Sequence, residues 1–299
     1  MKTNQQKSQK DHDCTKCKLI HCINLYGKGT EEMEGGEIYV LDYCLKNNEY
    51  TLCEGGGLLD ALCQLLKEFK DFTFYELFYQ CIRDLKASLF LLISGHYRGA
   101  IQLLRPVVEN WLAGVYWDSK LAEFTENNEE YEKFRTEEKY EVSEKEWNEV
   151  FGNEKKSTKK RHLDQEFLSS WMMKREIIDG EYKQEINTMC GKLNKYLHPN
   201  FSTMDIKKAG REGYPAWVKY NKKEYEKCMG LFQDTATLLL NTLLQYLTIF
   251  PSPKMDDEEF LKEVLGPVIA LKDIEKDSGR AVIHSKKLQQ FIEDISPQQ

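Results

Sequence analysis

The stretch that decides the fold is SLFLLISGHYRGAIQLLRPVVENWLAGVYW, residues 88–117. It is among the most apolar parts of the chain, yet it carries Arg98, Gln102, Arg105 and Glu109. Gly95 breaks it, and a helix is expected from Tyr97 to about Phe124. At 3.6 residues per turn the four polar positions share one face of that helix. Buried Arg and Glu are costly unless they are paired. The stripe therefore predicts a partner, a binding cavity or a catalytic site. Pro106, inside the helix, removes one backbone donor and is expected to kink it.

Outward from this segment the chain reads as helices. Leu58 to about Lys70 is the first. Thr73 with Glu76 forms a capping-box pattern that opens a long helix to about Ser94. Ser143 with Glu146 caps a short helix in an otherwise charged stretch. Leu163 to Ile178 is a helix stopped near Asp179-Gly180. Glu181 to His198 is the next, with Ile186, Met189, Cys190, Leu193 and Leu197 on its apolar face, and Pro199 ends it. Asn221 with Glu224 marks the start of a long helix to Phe250. Residues 254–299 are expected to form two short amphipathic helices. Lys155, Lys156, Lys159, Lys160 and Arg161 form a basic loop, either a solvated turn or a phosphate-contacting arm.

Composition bounds the class. At 299 residues and 41% hydrophobic, the chain can bury a substantial core. A formal net charge of −7 argues against a surface given over to nucleic acid. The start, MKTNQQKSQKDHD, is polar and does not read as a signal peptide. The uncharged run from Thr235 to Pro253 has an apolar core shorter than a bilayer span and reads as a core helix. The nine cysteines show no disulfide framework, which fits a reducing, cytoplasmic setting.

Residues 14–56 differ from the rest. The runs GEIYVLDYC and EYTLC are expected to be strands of a hairpin turning near Asn47-Asn48-Glu49. Cys14 and Cys17 form a knuckle, followed by His21 and Cys22. Cys44 and Cys53 would face each other across the hairpin. Four thiolates so arranged could hold a structural zinc; the alternative is a set of reduced structural cysteines. Gly55-Gly56-Gly57 reads as a hinge. The expected architecture is mainly α: a helical bundle over 57–250, with a cysteine-rich, zinc-ribbon-like module at 14–56. A polar tail at 1–13 and a helical appendage at 251–299 complete it.

Asn194 and His198 lie four apart on one helix face, His198 in the last turn. There it is either a cap or a group projecting into a cavity. Arg105 and Glu109 could simply bridge one another. The chemical alternative is cleavage of RNA by its own 2′-hydroxyl. His198 would serve as general base or acid, and Arg98 or Arg105 would meet the phosphorane oxygens.

The segment 88–117, followed far downstream by LNKYLHPN, resembles the HEPN-type helical proteins of prokaryotic defence and toxin systems and their abortive-infection-like relatives. The matching signals are R-x-x-x-E, Arg105 and Glu109, and N-x-x-x-H, Asn194 and His198. The resemblance spans roughly residues 58–250. It implies a helical bundle, metal-independent endoribonuclease activity and a homodimer whose cleft both subunits build. Ribonuclease members carry Arg immediately before the Asn, and here that position is Leu193. A catalytic arginine would have to be Arg98 or Arg105. The other outcome is a non-catalytic helical binding or scaffold protein with a structural zinc module.

Overall fold

The computed structural model describes residues 44, 49–68, 75–124, 142–152, 163–197, 221–249, 258–279, 283 and 286–295. Among these residues the chain is helical, without a strand. The helices are α1 (Glu49–Glu68), α2 (Tyr75–Ile93), α3 (Tyr97–Phe124), α4 (Glu144–Phe151), α5 (Gln165–Lys174), α6 (Gly180–Leu197), α7 (Lys222–Ile249), α8 (Glu258–Ser278) and α9 (Lys286–Ile295).

The segment 88–117 is the seam of an antiparallel helix pair. Gly95 has φ +83°, a left-handed conformation open to glycine without a Cβ penalty. The amide of His96 donates to Leu91 O at 2.8 Å and that of Gly95 to Leu92 O at 3.1 Å. These two bonds close α2 as a Schellman motif and turn the chain directly into α3. The paired helices then keep register. Ser88 Oγ donates to Ala100 O at 2.8 Å, and Cys81 Sγ to Val107 O at 3.4 Å. The Phe78 and Trp111 rings, whose centroids are 3.7 Å apart, close the far end. The helix α3 runs unbroken through Pro106.

The central helix is α7. Thr235 through Leu240 are all buried, as are Leu243 and Tyr246, and α7 packs against α1, α2, α3 and α9. Among the described residues no helix is long and apolar enough to cross a membrane. The two expected C-terminal helices are present as α8 and α9, the first longer than expected. They fold back on the bundle, α8 against α1 and α9 against α7.

Three sequence expectations are corrected. Glu49–Cys53 is the first turn and more of α1, so EYTLC is not a strand and cannot pair across a hairpin. Gly55-Gly56-Gly57 is not a hinge but a buried stretch of α1. A Cβ at Gly57 would stand 2.8 Å from the Pro267 carbonyl oxygen of α8, so the glycine lets two helices approach backbone to backbone. The helix from Leu163 stops early. Glu176, at φ +58°, takes the left-handed position, and Ile177 N donates back to Met172 O at 3.0 Å. Asp179 instead caps the next helix, accepting from Tyr182 N at 2.7 Å. The basic loop 155–161, Cys14, Cys17, His21, Cys22 and GEIYVLDY lie outside the described residues.

Candidate functional site

The polar stripe of α3 faces the last two turns of α6. Arg98 Nη2 donates to the Tyr196 carbonyl oxygen at 3.1 Å, and Gln102 Nε2 donates to the same oxygen at 2.8 Å. Tyr196 is the penultimate residue of α6, so its carbonyl has no acceptor role within the helix. A guanidinium there also meets the partial negative charge of the helix end. The Tyr196 ring is covered from the other side by Lys227 of α7, whose Nζ lies 5.1 Å from the ring centroid.

Tyr97, the residue before Arg98, holds the neighbouring helix. Its hydroxyl accepts from Asn221 N at 3.1 Å, and its carbonyl accepts from Cys228 Sγ at 3.6 Å. Asn221 is the cap of α7, its side chain accepting from Glu224 N at 3.3 Å. Two consecutive residues at the start of α3 thus grip the end of α6 and the beginning of α7.

One turn further on, Arg105 donates to Glu109 Oε1 from Nε at 2.9 Å and from Nη2 at 2.6 Å. Arg105 is 9% exposed, while the Glu109 side chain is 45% exposed. The pair therefore runs from the core to the surface, and solvent screens the carboxylate end. Arg105 Nη1 is buried without a hydrogen-bond partner. Cys190 of α6 lies beside this pair. Burial pushes its thiol up to about 11; the Arg105 charge opposes that rise and the Glu109 charge adds to it.

The structure brings Arg98 and Gln102 to the end of α6, and Arg105 with Glu109 beside Cys190 further back in that helix. Asn194 is exposed on that end, one turn beyond Cys190. His198 lies outside the described residues. Sequence reasoning missed Tyr97, Tyr196 and Lys227. The Tyr196 contact is made by a backbone carbonyl, which no residue type announces.

A second polar cluster, also missed, occupies the other half of α3. Glu146 donates its amide to the α4 cap, Ser143 Oγ, at 3.2 Å. Its carboxylate does not reach back to the cap. It is buried at 5% exposure, accepting from Tyr116 Oη at 3.0 Å and lying 2.9 Å from Lys120 Nζ. Aromatic rings enclose it: Trp147 stacks on Phe167 with centroids 5.6 Å apart, and Tyr116 meets Trp171 edge-on at 5.0 Å.

At the opposite end of α6 a cleft of about 490 Å³ opens between α6, α7 and α9. Tyr182, Thr237, Asn241 and Phe291 line it, together with the Lys287–Glu185 ion pair at 2.8 Å.

Of the proposed zinc ligands, Cys44 is not in a disulfide and is 2% exposed within the hydrophobic core. Cys53 lies in α1, so the facing-strand geometry that united the two is lost. No cluster of three or more His, Cys, Asp or Glu able to hold a metal occurs among the described residues. Comparison of the chain with protein-family models, with curated proteins and with solved structures found no match.

Proposed function

We propose that this chain is a helical binding or scaffold protein in which the α3 stripe is a structural clasp. The observation that carries this reading is the use of both guanidinium groups. Arg98 is engaged by the Tyr196 carbonyl and Arg105 by Glu109. The engaged N–H groups could meet a phosphorane only by giving up these partners; Arg105 Nη1, buried without a partner, is the exception. The test is a paired measurement on wild type, Arg98→Ala with Gln102→Ala, and His198→Ala. The clasp variant is expected to melt lower, and none of the three to cut RNA in EDTA. Metal-independent cleavage by wild type, lost in a well-folded His198→Ala protein, would overturn this reading.

One observation favours the HEPN-like endoribonuclease as a second reading. Arg98 is anchored on Tyr196, which lies between Asn194 and His198 in the N-x-x-x-H segment. In that reading His198 moves the proton of the 2′-hydroxyl. Arg98 or Arg105 meets the developing charge and Asn194 orients the phosphate, with no metal. RNA, a homodimer and a role in prokaryotic defence belong to it.

A structural zinc on Cys14, Cys17, Cys44 and Cys53 would have to draw Cys44 out of the core or reach it there. One zinc per chain, lost in Cys14→Ser with Cys17→Ser, retains the site. A metal-free purified chain removes it.

A further inference from the structure

The cleft between α6, α7 and α9 has a buried polar group in its lining that the fold leaves unanswered. A threonine inside a helix commonly returns its hydroxyl to the carbonyl four residues back. Two in α7 do so: Thr235 Oγ1 donates to Leu231 O and Thr242 Oγ1 to Leu238 O, each at 2.8 Å. Thr237, between them, lines the cleft instead. It is 3% exposed, and its hydroxyl is buried without a hydrogen-bond partner among the described residues. Such a group calls for a partner from outside the fold. Beside it Tyr182, Leu238 and Phe291, each less than a tenth exposed, give the cleft apolar walls. Tyr182 donates its own hydroxyl to the Leu238 carbonyl at 2.8 Å, which fixes that wall.

The charge of the lining selects the sign of an occupant. Four carboxylates, Asp179, Glu181, Glu185 and Asp294, stand against two ammonium groups, Lys286 and Lys287. One of each is matched in the Lys287–Glu185 pair at 2.8 Å. The anion position at the start of α6 is already filled by Asp179, which accepts from Tyr182 N at 2.7 Å. The balance left is negative, on a chain of net charge −7, so a cation is favoured over an anion. We propose that this cleft binds a small amphipathic amine. Its ammonium lies among the exposed carboxylates of Glu181 and Asp294, its apolar body against Tyr182, Leu238 and Phe291, and a hydroxyl at its other end meets Thr237 Oγ1. A volume of about 490 Å³ is in the range of small-molecule sites. An amine ligand gives the binding reading a chemical class and rests on it. It involves neither the α3 clasp nor His198, so RNA cleavage and ligand binding succeed or fail separately.

The test is an NMR titration of the full chain with four related probes. Tyramine carries the ring, the hydroxyl and the ammonium. 2-Phenylethylamine lacks the hydroxyl, 4-ethylphenol lacks the ammonium, and 3-(4-hydroxyphenyl)propionate replaces it by a carboxylate. Tyramine is expected to bind most tightly and the carboxylate least. Thr237→Val should weaken tyramine roughly tenfold and leave 2-phenylethylamine unchanged. The same substitution removes an unpaired buried hydroxyl, so the free protein should melt no lower than wild type. Glu181→Lys with Asp294→Lys should weaken both amines roughly fivefold, spare 4-ethylphenol and strengthen the carboxylate. A greasy cavity without charge preference would show none of that reversal. Failure of wild type to bind tyramine overturns the amine site. So does 4-ethylphenol or the carboxylate binding as tightly as tyramine, and so does tyramine binding indifferent to both sets of substitutions. Unchanged melting of the charge-reversed variant confirms that its loss is not one of folding; if it melts lower, the selective loss in Thr237→Val decides, and its absence overturns the site.

Discussion

The two halves of α3 solve the same problem in different solvents. Near its start, Arg98 and Gln102 hold a half-buried helix-end carbonyl, and Arg105 leads outward to the half-exposed Glu109. Near its end, Tyr116 and Lys120 hold the Glu146 carboxylate inside an aromatic cluster. At the first site water can replace a lost donor. At the second it cannot, so a missing partner leaves a charge stranded. The same kinds of hydrogen bond should therefore have different mutational costs at the two ends of one helix.

The largest expected effect is at the buried end. Lys120→Ala leaves Glu146 without its countercharge and should cost about 3 kcal/mol in urea unfolding. A cost no greater than at the clasp would end the contrast. Next comes pH. The thiol of Cys190 rises from 9.0 to about 11 in the fold, and that of Cys228 from 9.0 to about 12, both mainly by burial. The unfolded chain loses these protons first. Their contribution is therefore whole below pH 9 and is lost as pH rises through 11 to 12. About 2–3 kcal/mol of alkaline loss is expected from Cys190 alone, and Cys190→Ala should flatten that slope. If the slope is unchanged, the thiol beside Arg105 is not shielded as described.

At the clasp, Arg98→Ala with Gln102→Ala should cost about 1–2 kcal/mol, because water can reach the Tyr196 carbonyl. A loss as large as that of Lys120→Ala would mean that the helix end is sealed. The smallest effect is expected for Glu109→Gln, about 0.5–1 kcal/mol, since half of that side chain is already in water and the amide can still accept from Arg105. Added salt should narrow the difference between wild type and this variant, and should leave that of Lys120→Ala nearly untouched.

The helices themselves were legible in sequence where local chemistry writes them. Tyr97–Phe124 was bounded correctly, and the caps at Ser143 and Asn221 were read from their spacing to Glu146 and Glu224. The shared face of Arg98, Gln102, Arg105 and Glu109 followed from helical geometry alone. Local signals failed where a distant element decided the outcome. Three consecutive glycines suggest flexibility, but Gly57 is fixed by the approach of α8, more than two hundred residues away in sequence. The β-rich composition of EYTLC yielded to the helix that continues from it.

By itself, the sequence determined that this is a helical protein with a polar stripe on a core helix. That is a matter of period and composition, which operate within a few turns. Only the tertiary structure decided what the stripe does. Arg98 and Gln102 meet a backbone carbonyl of α6, Tyr97 caps the entry to α7, and Glu146 turns from its cap into the core. Each of these partners lies about 30 to 120 residues away, and two of the three involve main-chain atoms that every residue possesses. No residue pattern can specify them, because which carbonyl or amide is left open depends on where a helix ends against its neighbours.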